Sequence, residues 1–152
     1  MDAATAYRRR AIEGSSPVGL IVLLYQGVTV DLRRAIAAIE HGRRSDDIEA
    51  RTNALNRVLA LVGELRGALN FERGGEIARQ FERFFRLAER LVLQASFDHD
   101  AAPLRELLEQ FSAIRDAWRQ VDAAPAAGQP MAVPYAAAAA PALGEARPAW
   151  QA

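Results

Sequence analysis

Side chains able to move protons or attack bonds are scarce in this chain. His41 and His99 are its histidines, cysteine is absent, and all 19 basic residues are arginines. Without Cys there is no disulfide, thiolate metal site or Cys nucleophile, and such a composition fits a reducing compartment. Without Lys there is no side-chain amine for a Schiff base or a phosphate-loop lysine. The two histidines fall in expected loops far apart in sequence, which does not suit a site needing several converging ligands. Gly74-Gly75 lacks the remaining glycine pattern of a phosphate loop and a preceding strand. No Glu-x-x-His motif is present to hold a metal inside a helical bundle. The expectation is a protein that is not an enzyme and carries no cofactor or metal.

The chemistry left over is burial of apolar surface, and it concentrates in "SSPVGLIVLLYQGVTV", residues 15–30. With Val28 at the centre of an inward stripe and about 100° per residue, Ile21, Leu24, Leu32, Ala35 and Ile39 fall within about 40° of it. Val22, Leu23 and Val30 fall about 120–160° away, with Leu20 on the flank. A peripheral helix should be polar there. Three explanations stand side by side: residues 1–14 or the tail strap the face, two chains bury it in a homodimer, or it receives an amphipathic helix from a partner. Four such residues would contribute roughly 6–10 kcal/mol gross on burial. Ordering a flexible partner costs about 2–5 kcal/mol, and the difference suits a reversible complex.

The elements that must position this face are helices. Ser16 serves as N-cap and Pro17 as first helical residue of a segment running to about His41, closed by Gly42. Its stripe is Ile21, Leu24, Tyr25, Val28, Leu32, Ala35, Ile36 and Ile39. A second helix is expected from Asp46, with Glu49 completing a capping box, and its stripe is Ile48, Leu55, Val58, Leu59, Val62, Leu65 and Leu69. Residues 70–75 end it. A third opens at Glu76 with Ile77, Phe81, Phe84, Ala88, Leu91 and Ala95 inward. Asp100 caps the fourth, whose stripe is Leu104, Leu107, Leu108, Phe111, Ile114, Trp118 and Val121. No segment alternates as a half-buried strand would.

Short connections between long helices give an all-α fold, an antiparallel up-down four-helix bundle over 15–122. Residues 1–14 form a short N-terminal cap segment, with Tyr7 and Ile12 as apolar anchors. Residues 123–152 are Ala- and Pro-rich and are expected to be a disordered tail, with Trp150 near its end. Formal net charge is +0, so no bulk attraction to nucleic acid or anionic membrane is expected. Arg8–Arg10 ahead of Val18–Tyr25 imitate a signal peptide. Glu13, Asp31, Arg33 and Arg34 interrupt that pattern, the run is too short to span a membrane, and the helical period continues through it.

Tyr7, Ser15-Ser16-Pro17, Leu20-Ile21 and Leu24-Tyr25-Gln26-Gly27 resemble the opening of the FliS family of flagellar secretion chaperones. That opening typically reads Tyr, a spacer, Ala-Ser-Pro and Leu-Tyr-Asp-Gly. "LNFERGGEIA", residues 69–78, is similar to the family's Leu-Asp-Phe-Glu-Lys-Gly-Gly-Glu-Ile-Ala. Phe84-Phe85 stands where the family tends to have Leu-Tyr, and Trp118 within "IRDAW" matches a recurrent Trp. Gln26 departs from the usual Asp or Asn, Gly14 from a common Thr, and residues 123–152 have no counterpart in the pattern.

The resemblance implies a cytosolic bundle that binds the C-terminal amphipathic segment of flagellin, prevents its premature polymerisation and delivers it to the flagellar type III export apparatus. The partners it implies are that segment and the cytosolic domain of the export gate. Neither nucleic acid nor stable membrane insertion is expected, and the chain would be a monomer or weak homodimer. The expected contact set is Leu20, Val22, Leu23, Leu24, Tyr25 and Val30, with Tyr7 and Ile12 as a displaceable cover. For Leu24 and Tyr25 ordinary core is the favoured reading. The competing function is a homo-oligomeric helical scaffold with no affinity for flagellin.

Overall fold

A computed structural model describes residues 17–42 and 44–123, and these form four α-helices: α1 Pro17–His41, α2 Ser45–Gly67, α3 Phe71–Asp98 and α4 Ala102–Ala123. The first helix packs against both α2 and α4, and α3 closes the ring against the same two. Neighbours run antiparallel. Gln26 near the start of α1 meets Arg119 near the end of α4, whereas Glu40 near the end of α1 pairs with Arg105 near the start of α4. The all-α up-down bundle read from the helical periods is therefore the fold.

An aromatic cluster fills the centre. Tyr25 lies with its ring centroid 5.8 Å from Phe111 and 6.5 Å from Phe85, and Phe84 lies 5.1 Å from Phe111. Val28, Leu32, Val58, Val62, Leu104, Leu107 and Trp118 are buried around it. Phe85, Ala78 and Val92, outside the stripe expected for α3, are also buried. A helix packed between two neighbours buries a wider arc than one stripe. Ile48, expected inside, is exposed in the first turn of α2, where the bundle ends.

Local chemistry explains the breaks. Pro17 opens α1, as its fixed φ and missing N–H favour. Gly42 beyond its end has φ +152°, a value L residues rarely adopt. The capping box expected at Asp46 and Glu49 is not formed. Helix α2 starts at Ser45 behind Arg44, with no side-chain cap hydrogen bond. Asp47 instead places Oδ1 3.0 Å from His41 Nδ1, tying the two helix ends together.

The third helix begins earlier than expected, because Asn70 Oδ1 accepts from the Arg73 backbone N–H at 3.0 Å and supports a turn from Phe71. Gly75, at φ 50° and ψ −125°, interrupts that turn, so regular helix resumes at Glu76. Its carboxylate accepts from Arg83 and Arg79, both at 3.1 Å, and these bonds hold it below its ordinary pKa of 4.5. At the far end Asp100 Oδ1 accepts from Ala102 N–H at 3.0 Å, the cap expected for the fourth helix.

Candidate partner-binding face

The outer face of α1 is one place where apolar side chains remain without full cover; Ile48 and Phe71 at helix starts, and Leu93 and Phe97 on α3, are exposed further. Leu20 is 36% exposed and Leu23 37%. Val30, two turns after Leu23, is half-buried. One helical row, Leu23, Gln26 and Val30, at i, i+3 and i+7, thus points away from the bundle centre.

The six expected contact residues divide. Leu20, Leu23 and Val30 belong to this outward face. Val22 and Leu24 are half-buried and pack against the core. Their placement follows from angle: Val22 shares a row with Gln26, on the α4 side, and Leu24 lies near the inward stripe. Tyr25 is completely buried, packed among Phe85 and Phe111, and is not available to a partner. Its hydrophobic mass supports the helix from beneath. Tyr7 and Ile12, the expected cover, lie outside the described residues, as do Trp150 and the tail beyond Ala123.

Each edge of the face is fixed by a neighbouring helix. On the α2 side, Gly27 lets the helices approach until a Cβ at that position would lie 2.8 Å from Leu61 Cδ1. One turn on, buried Asp31 accepts from Arg57 Nε at 3.1 Å and from Arg34 Nη1 at 3.3 Å, locking α1 to α2.

On the α4 side, Gln26 Oε1 accepts from Arg119 Nη2 at 2.7 Å and from Arg115 Nη1 at 3.4 Å. Arg115 Nη1 also donates to Thr29 Oγ1 at 3.3 Å, and Thr29 donates to the Gln26 carbonyl at 2.8 Å. The face is therefore an apolar row set on a rigid helix, with two guanidiniums along one rim.

Sequence periodicity did not foresee Arg115 and Arg119 at this rim, because nothing local links them to Gln26. It also missed Phe97, 79% exposed, and Leu93, both exposed on α3. Their signal was present: each sits two residues past a core position, Leu91 and Ala95, hence on the opposite face.

Among the described residues no group of His, Asp or Glu could hold a metal ion, and no helix is long and apolar enough to cross a membrane. Residues 1–125 match the family described as Flagellar protein FliS. The chain belongs to the FliS family. Its similarity extends to the flagellar secretion chaperone FliS of Salmonella typhimurium, 32% identical over 73% of this chain and 80% of that protein. The FliS chaperone of Campylobacter jejuni is 30% identical over 78% of this chain and 90% of its own length. That of Bacillus subtilis is 29% identical over 76% and 83%. The FliS match ends just past α4, so most of the Ala- and Pro-rich tail lies beyond it.

Proposed function

We propose that this FliS-family chain is a cytosolic export chaperone that holds the C-terminal amphipathic segment of flagellin on the outer face of α1. It thereby keeps that segment from polymerising early and delivers it to the flagellar type III export apparatus. The observation that carries this reading is the row of Leu20, Leu23 and Val30 left outward on a helix whose other side is locked into an aromatic core. An amphipathic helix laid on that row would bury its own apolar stripe against it. The energy source is burial, so no nucleotide is required. The names of the relatives, flagellar secretion chaperones, support a client of flagellar origin. Residues 1–14, with Tyr7 and Ile12, are assigned as the cover displaced when the client docks.

Calorimetry with full-length flagellin, and with flagellin lacking its C-terminal segment, tests the reading. Binding to the first and not to the second is the expected result. Equal binding to both, or none to either at tens of micromolar, overturns it. Should light scattering instead give a dimer at every concentration and no flagellin binding, the chain is a homo-oligomeric scaffold.

A further inference from the structure

The apolar row on α1 is interrupted at one position, and that position is wired to two cations. Gln26 lies between Leu23 and Val30 in the same helical row, and its amide oxygen accepts from Arg119 and Arg115. A neutral amide oxygen carries only part of a charge, yet it faces two full ones. Asp116 is a carboxylate in contact with both guanidiniums. Its Oδ1 lies 3.0 Å from Arg115 Nε and Nη2, and 3.6 Å from Arg119 Nη1. Arg115 is held with only 12% of its side chain exposed, while Arg119 is half exposed at the rim.

We infer that Arg115 and Arg119, gathered by Gln26, form an anchor for a carboxylate of the docked segment, and so fix its register along the apolar row. This rests on the proposed reading of the α1 face as the client site. The occupant is an amphipathic peptide bearing an Asp, a Glu or a free C-terminus beside its apolar stripe. A carboxylate matches the fork of a guanidinium and forms charge-assisted hydrogen bonds with it. Apolar anchors alone give little register, because a helix slid by one turn along Leu20, Leu23 and Val30 finds similar surface. A charge pair at the middle of the row penalises such slippage. A phosphate-rich polymer suits the site less well. The two guanidiniums already share their charge with Gln26 and Asp116, and the chain has formal net charge +0.

The test uses the full chain and the C-terminal segment of flagellin. Variants of that segment carry each Asp or Glu changed singly to Asn or Gln, and one carries a C-terminal amide. Arg119→Gln is the main protein variant, because Arg119 is exposed enough to be replaced without unfolding the bundle, as circular dichroism would check. One neutralised carboxylate is expected to weaken binding about tenfold to wild-type protein and not at all to Arg119→Gln. The variant's affinity for the parent segment should fall by a similar factor and depend less on salt. If the parent segment binds but every carboxylate change has the same effect on both proteins, the anchor is refuted while the client reading stands. If the parent segment does not bind, both are refuted.

Discussion

Gly27 on α1 and Leu61 on α2 meet so closely that residue 27 has no room for a side chain unless Leu61 moves: an added Cβ would lie 2.8 Å from Leu61 Cδ1. The contact sits beside Leu20 and Leu23, so the spacing of the first two helices sets the width of the candidate face. A single methyl at position 27 meets only the mobile end of Leu61. Gly27→Ala should therefore stay within about 1 kcal/mol of the wild type, with gained helix propensity offsetting the crowding. Gly27→Val adds branches at the same point and should cost about 1–3 kcal/mol in urea unfolding. Gly63 is the control. Nothing lies within 4 Å of a Cβ placed there in α2, so Gly63→Ala should stabilise by about 1 kcal/mol.

Leu23→Asp separates docking from folding. Leu23 stands partly exposed on the side of α1 opposite the buried stripe, and a charge there remains hydrated. Circular dichroism and the urea midpoint should hold nearly at wild-type values, while affinity for the flagellin C-terminal segment falls at least about tenfold. A collapse of helical signal would place Leu23 in the core and remove the face.

Tyr25→Ala should do the reverse. Removing a fully buried ring from contact with Phe85 and Phe111 leaves a large cavity, worth about 3–5 kcal/mol of stability. Any loss of binding should then follow the unfolded fraction and vanish when the fold is restored by cold or osmolyte. A binding defect in a fully folded Tyr25→Ala protein would show that the ring reaches the partner.

These two neighbouring residues mark what periodicity can and cannot reveal. The inward centre of each helix was legible because 3.6 residues per turn fixes which residues share a face. Val28, Val58, Phe81 and Phe111 are buried as that rule requires. The Asp100 cap and the Gly42 closure of α1 were legible because they are local bonds and dihedrals. The flanks were not. Whether Val22 and Leu24 are covered depends on where α2 and α4 lie, and that follows from close approach at Gly27 and from packing across the bundle. The arginine rim was invisible for the same reason, since Gln26 finds Arg115 and Arg119 only after the chain has returned through three helices.

The acid limb of stability should carry a small contribution from Glu76. Its hydrogen bonds to Arg83 and then Arg79 lower its pKa in the folded protein. A lowered carboxylate pKa stabilises the folded state above the unfolded pKa, and that stabilisation is lost as pH falls through the folded value. Glu76→Gln should therefore flatten the stability profile just below the ordinary Glu range and leave the profile's shape near neutral pH unchanged. Because the carboxylate is largely exposed, 0.5 M salt should erase most of the difference. An identical acid limb in Glu76→Gln would show that these bonds do not persist in solution.

Gly75 offers a sharper test of how α3 is set against α2. Its φ of 50° with ψ of −125° is a combination that a residue with a Cβ avoids. No side chain stands within 4 Å of the position, so crowding plays no part and the backbone alone decides. Gly75→Ala should cost about 1–3 kcal/mol from strain. The adjacent Gly74 differs in kind: a Cβ there would lie 2.7 Å from Ala78 Cβ, so its substitution fails by collision. If strain is the cause at residue 75, Gly75→Asn should lose less than Gly75→Ala, because Asn tolerates positive φ better. Equal losses would assign the cost to something other than backbone conformation. The connection bears on function through distance: α3 lies across the bundle from the outer face of α1. Gly75→Ala should thus lower the urea midpoint without changing the affinity of the protein that remains folded.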